Sequence, residues 1–111
     1  MILSLSLNNK TLIVKIRGEL DHHTAEEIRN EIDHELDNNA VKNILFDFSE
    51  LSFMDSSGIG VLMGRYKKIL QRNGQAGVYQ INSQVRRVFE ISGLLRILKE
   101  FESKEQALEN I

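Results

Sequence analysis

Residues 53–60 read Phe-Met-Asp-Ser-Ser-Gly-Ile-Gly, and Gly64 follows four residues later. Asp55-Ser56-Ser57 has the character of a helix start, where a short polar side chain accepts from the first unpaired backbone N–H groups. Gly58 and Gly60 oppose it, because two interior glycines cost a helix about 2 kcal/mol relative to alanine. A helix N-terminus exposes N–H groups and a partial positive charge, which suit a phosphoryl group. A hydroxyl at 56 or 57 could carry one covalently, adding about 1.5 to 2 negative charges at pH 7. Gly58 would then leave the neighbourhood without side-chain bulk for another protein's active site. Gly60 and Gly64, one turn apart on one face, would let the helix press against a strand or a neighbour. The plain alternative is an N-cap at Asp55 or Ser56 with no further role. From these residues alone the cap is the more economical reading, and both stay open.

Three familiar chemistries fail on spacing. A P-loop needs Gly-Lys-Ser/Thr five residues after its first glycine, and those positions are Met63 and Arg65. A dinucleotide fingerprint needs a third glycine three residues after Gly60, and that position is again Met63. A nucleophile elbow needs glycines on both sides of a serine; Ser56 has Met54 before it, and Ser57 has neither glycine.

A second polar stretch, Gly-Glu-Leu-Asp-His-His-Thr at 18–24, leaves one expected strand and enters one expected helix. The stretch at 49–56 does the same further along. In an open α/β sheet both would sit at the carboxyl edge, where ligands bind. Glu19, Asp21, His22 and His23 are therefore expected near Ser56. A Ser-His-Asp triad there lacks an apparent oxyanion site. A metal site on His22-His23 lacks a third ligand at recognisable spacing. The plain reading is a polar loop with Asp21 near a helix N-terminus. Residues 26–37 carry six acidic side chains and one arginine, whereas Arg65, Lys67, Lys68 and Arg72 make the next helix basic. Solvated faces account for both runs, with steering of a charged partner as the alternative.

The elements that must position these residues follow from periodicity. Residues 2–7 and 11–18 have strand character, joined through Asn8-Asn9-Lys10 as an antiparallel hairpin. Ala25, Ile28, Ile32 and Leu36 mark a helix over 24–38, with a Thr24/Glu27 capping box and a left-handed end at Asn38-Asn39. Residues 43–48 suit a strand buried on both faces. A helix is expected over 56–72, stopping at Asn73-Gly74, then a strand at 76–81 and a helix at 83–92 ended by Gly93. A strand at 96–101 and a terminal helix behind a Ser103/Gln106 box complete the order β-β-α-β-α-β-α-β-α. That alternation predicts a single α/β domain over 1–111, with a mostly parallel mixed sheet, an antiparallel N-terminal edge strand and about four helices.

The 111 residues are 41% apolar and 27% charged, with net charge −2 and no cysteine. This excludes a disulfide framework and disfavours duplex nucleic acid as a partner. No membrane-length apolar run or signal pattern is evident, so a soluble cytoplasmic protein is expected.

Three segments, GELDHHTAEEIR, LSFMDSSGIGVLMGRYK and VRRVFEISGLL, together span essentially the whole chain. In order and spacing they resemble the bacterial anti-sigma factor antagonists, free-standing STAS domains, and most of all the sporulation type. The resemblance implies a STAS fold and a regulator, not an enzyme. It implies that Ser56 is phosphorylated by the anti-sigma factor itself, an ATP-using serine kinase. The unphosphorylated protein would bind that kinase, loaded with ADP or ATP, and free the sigma factor. Phosphorylation would end the association, and a serine phosphatase would restore it. Asp21 is implied as a kinase contact, within a partner surface of Glu19, Asp21, His22, Asp55, Ser57 and Gly58. No cofactor or metal is implied. A STAS switch of general stress signalling and a small serine hydrolase using Ser56 are the alternatives.

Overall fold

The computed structural model describes residues 2–111. In chain order the elements are β1 (Leu3–Asn8), β2 (Thr11–Ile16), β3 (Gly18–Leu20), α1 (Ala25–Asn38), β4 (Asn43–Asp47) and β5 (Leu51–Met54). They continue with α2 (Ser56–Gln71), β6 (Ala76–Tyr79), α3 (Ser83–Ser92), a 3-10 turn (Leu94–Arg96), β7 (Lys99–Phe101) and α4 (Lys104–Asn110). β1 and β2 form the expected hairpin, in register from Leu3↔Ile16 to Asn8↔Thr11. Asn9 turns it at φ 55°, a left-handed conformation that Asn tolerates. The five-stranded sheet runs β1-β2-β4-β6-β7, and every pair after the first is parallel.

Alternation along the strands builds two cores. Leu12, Val14 and Ile16 of β2 join Ile44 and Phe46 of β4 against Ile28, Ile32 and Leu36 of α1 and Leu62 and Ile69 of α2. Ile13, Leu45, Tyr79 and Phe101 project from the other face onto Ala107 of α4. β4 is thus buried on both faces, as its continuous apolar run predicts. Each such side chain contributes about 1.5–3 kcal/mol when fully buried.

Two short strands were read in the sequence as strand end and loop. The second strand does not run through 11–18: it ends at Ile16, and Gly18, at φ 79°, redirects the chain into β3. β3 pairs in parallel with β5, which occupies part of the expected polar loop at 49–56. Three- and four-residue strands are too short for a period of two to show. The last strand is likewise shorter than 96–101, because Leu94–Arg96 forms a 3-10 turn first.

The helix ends also differ in part. Thr24 and Glu27 do not form a capping box: Thr24 makes no side-chain cap on α1. Its hydroxyl donates instead to the Glu19 carbonyl at 2.9 Å. α1 does not end left-handed, since Asn39 is extended at φ −134°. The Asn38 and Asn39 side chains donate back to the carbonyls of His34 and Glu35. At α4, Ser103 Oγ accepts from the Gln106 N–H, while Gln106 reaches past Ser103 to the N–H of Glu102. Asn73, at φ 59°, does terminate α2 as expected.

The charge runs on α1 and α2 are solvated at Glu26, Glu27, Glu31, Asp37 and Lys67, as expected, but the two helices meet at Asp33. Arg65 is buried, and its Nε lies 2.9 Å from Asp33 Oδ1. Lys68 Nζ lies 3.1 Å from the same oxygen and 3.8 Å from Asp37 Oδ1. The Arg65–Asp33 contact is ionic, without the alignment of a hydrogen bond.

Candidate functional site

The site is built where β3 and β5 end side by side. Leu20 and Met54, a register pair of that small sheet, are both buried. The next residues, Asp21 and Asp55, each turn the chain into a helix. Asp55 is the N-cap of α2: its Oδ1 accepts from the Ser57 N–H at 2.8 Å. Its Oδ2 accepts from the His22 N–H at 3.2 Å, and the His22 ring Nδ1 lies 3.6 Å from the same oxygen. The Asp55 N–H donates to the Leu20 carbonyl at 3.2 Å. The two loops are therefore joined through backbone and side chain together.

Asp21 organises the first loop from within. It is buried, and its Oδ1 accepts from the N–H groups of His23 (2.9 Å) and Thr24 (3.2 Å). Thr24 Oγ1 accepts in turn from the Asp21 N–H. Burial pushes the Asp21 carboxyl up, but the His23 and Thr24 N–H groups outweigh it and hold the group below the ordinary carboxylate value. At Asp55 burial again acts upward, and the N–H groups of Ser57 and His22 again bring the carboxyl below its ordinary value. Both carboxylates are thus charged at neutral pH and already engaged by backbone donors.

Ser56, the first residue of α2, is exposed, and among the described residues no hydrogen bond engages its hydroxyl. Ser57 is half-buried beside the Asp55 carboxylate. Ser52 is exposed but committed, donating to the Gly18 carbonyl at 2.8 Å. Of the three serines, Ser56 alone combines exposure, a free hydroxyl and the helix N-terminus.

The glycines exchange the roles read from the sequence. Gly58 does not face outward: it is buried, and a Cβ there would sit 2.5 Å from Met54 Cγ and 3.0 Å from Leu20 Cγ. It lets α2 close onto the β3/β5 pair. Among the described residues, a Cβ at Gly60 or Gly64 would meet nothing within 4 Å, and Gly60 is exposed. The bulk-free surface beside Ser56 is therefore at Gly60.

His22 and His23 are partly stacked, with ring centroids 3.9 Å apart. No hydrogen bond joins either ring to Ser56, so no Ser-His-Asp triad is assembled among the described residues. No group of three or more potential metal ligands occurs among them either. Sequence reasoning missed Thr24 as the lock of the first loop, and Asn82 and Gln84 as supports of β5. Thr24 three residues after Asp21 is a local signal for such a turn, whereas Asn82 and Gln84 bond to residues 31 and 30 positions away.

A mixed sheet with helices on both faces, and two strand-to-helix loops converging on a helix N-terminus, defines an α/β protein with one exposed polar site. The STAS domain family matches residues 4–107, and the chain belongs to that family, among its anti-sigma factor antagonists. It is 40% identical over 97 residues to an anti-sigma F factor antagonist of Paenibacillus polymyxa, covering 87% of this chain and 83% of that one. It is 32% identical to an anti-sigma-B factor antagonist of Listeria monocytogenes, over 76% of this chain and 73% of that one. Among solved structures it resembles the anti-sigma factor antagonist SpoIIAA in its unphosphorylated form, with TM-score 0.86, 34% identity and 96% and 93% of the two chains covered. It also resembles the Bacillus cell fate determinant SpoIIAA in its phosphorylated form, with TM-score 0.76, 33% identity and 96% of each chain covered.

Proposed function

We propose that this protein is a phosphorylation-controlled anti-sigma factor antagonist of the sporulation type, acting in the cytoplasm as a single STAS domain. Unphosphorylated, it binds an anti-sigma factor that is also a serine kinase, and the sigma factor is freed. Transfer of the γ-phosphoryl group of ATP to Ser56 Oγ, with loss of the hydroxyl proton, ends the association. A serine phosphatase reverses it. The protein is the substrate of both enzymes, and no catalytic role is assigned to it. The observation that carries this reading is the exposed, unengaged hydroxyl of Ser56 at the start of α2, beside a cap whose carboxylate is already occupied. Glu19, Asp21, His22, Asp55, Ser57 and Gly58 form or support the surface offered to the kinase. A phosphoserine there stands next to the Asp55 carboxylate, and in the complex it would have to be desolvated against acidic groups and bound nucleotide. That differential cost is what a switch requires.

Incubation with the cognate kinase and ATP should add one phosphate, located on Ser56 by mass spectrometry. Phosphate on Ser57 or Ser52 would refute the assignment. Ser56→Ala should bind the ADP-loaded kinase and resist release by ATP; loss of binding would make the hydroxyl a contact rather than a switch. A general stress role is the second reading, favoured by the similarity to the anti-sigma-B factor antagonist. Pull-down of the chain against kinases of the two types separates the two.

A further inference from the structure

Among the described residues β5 is an outer strand of a two-stranded sheet, paired only with β3. Its other edge should leave backbone groups unpaired. Side chains from the start of α3 cover that edge. Gln84 Oε1 accepts from the Met54 N–H at 3.0 Å, and Gln84 Nε2 donates to the Met54 carbonyl at 3.1 Å. One carboxamide thus pairs both backbone groups of one residue, as a neighbouring strand would. Asn82 Nδ2 donates to the Leu51 carbonyl at 2.7 Å, while its Oδ1 caps α3 by accepting from the Val85 N–H at 2.9 Å. On the opposite side the Asp55 N–H is held by the Leu20 carbonyl. The Met54 side chain is boxed in by Gly58 of α2.

Resting on the reading of Ser56 as phosphoacceptor, we infer that Gln84 is a positioning residue for that serine. Its carboxamide clamps Met54, two residues ahead of Ser56, and so fixes the direction in which the chain delivers the hydroxyl to the kinase. Gln84 touches neither Ser56 nor the reacting atoms. It acts through Met54 and Asp55, and it ties the start of α3 to the phosphorylation loop. Asn82 seats the same helix against the far end of β5.

The experiment uses the full chain and reads the clamp without the kinase first. In Gln84→Leu, amide hydrogen exchange at Met54 should accelerate about tenfold, the loss expected for a backbone hydrogen bond, while exchange in β2 and β4 stays as in the unsubstituted protein. With kinase and ATP, kcat for phosphorylation of Ser56 should fall by roughly three- to tenfold with KM within about twofold, because the docking surface is intact and only the geometry of attack is loosened. Gln84→Glu separates clamping from packing. As a carboxylate it accepts from the Met54 N–H but repels the Met54 carbonyl; protonated, it donates to that carbonyl and regains both bonds. Met54 N–H protection should therefore be largely kept in Gln84→Glu, whose carboxylate still accepts from it, and lost in Gln84→Leu, which offers no acceptor. Unchanged Met54 exchange in Gln84→Leu would overturn the clamp. Lost protection with unchanged kcat would overturn its role in positioning. Absence of phosphate from Ser56 in the unsubstituted protein would instead overturn the switch reading, and the exchange measurement keeps that failure distinct.

Discussion

At the scale of single residues, the site is two aspartates that do different work from equivalent positions. Asp21 and Asp55 each follow a strand of the same small sheet and each precede a helix. Asp21 folds its own loop by accepting from His23 and Thr24, whereas Asp55 caps α2 and also holds His22 across the gap. Asp55→Ala removes both duties of its side chain. It should cost about 1 kcal/mol, the usual loss of an N-cap, seen as a Tm lower by roughly 4–6 °C. The Tm loss should come with faster exchange of the His22 amide. The pH dependence has a defined sign. Both carboxyls lie below their ordinary value in the fold, so their stabilisation is complete above the unfolded value of about 3.9. It is lost as pH falls through the lower native values. Urea unfolding should therefore show this pair's full, pH-independent contribution between about pH 5 and 7, and a decline below about pH 4. Asp55→Asn retains an acceptor without the titration and should make that decline shallower.

At the scale of elements, the long ones were legible and the short ones were not. The hairpin, β4, α2 and α3 follow from period and punctuation, because each is long enough for its buried face to repeat. β3 and β5 are invisible to that reasoning: the tertiary pairing of Leu20 with Met54, not any local pattern, makes them strands. Ser56, Asp55 and the convergence of the two loops were readable from the cap signal and the strand-end rule. The glycines were not, since spacing does not reveal which side of a helix faces a strand. Gly58→Ala tests this. Alanine is worth about 1 kcal/mol more than glycine in a helix interior, yet a Cβ there meets Met54 and Leu20. Overpacking of about 1–3 kcal/mol should prevail, giving a lower Tm. Gly60→Ala, with open space around the new Cβ, should raise stability by up to about 1 kcal/mol. The buried part of the charge runs was missed for the same reason, since only packing brings Asp33 to Arg65. Asp33→Ala leaves the buried Arg65 guanidinium without its counter-charge and should cost about 3 kcal/mol. Arg65→Met should cost less in denaturant titration, because Asp33 keeps Lys68 and access to water.

At the scale of the whole molecule, the question is how far a phosphate on Ser56 is felt. A dianion at the first turn of a 16-residue helix meets the favourable end of its dipole, worth about 0.3–1 kcal/mol at an exposed site. The modified fold should therefore be at least as stable as the unmodified one, and the penalty should fall on the complex. Perturbation has three routes out of the site. Asp55 leads to the loop at 19–24 through His22 and Leu20. The α2 backbone leads to Gly58 and the β3/β5 pair. Gln84 and Asn82 lead to the start of α3. Beyond these lie the apolar side chains of β4 and the second core, packed against both sets of helices. Amide shifts on phosphorylation should consequently cluster at about residues 19–24, 52–60 and 82–85, with the last group diminished in Gln84→Leu. Thermal unfolding should give an equal or higher Tm for the phosphorylated protein. Large shifts across β6, an interior strand of the five-stranded sheet, or across α4, behind its second face, would contradict a local charge effect. They would require a second arrangement of the whole fold, for which the continuous packing between β4 and both sets of helices leaves little room.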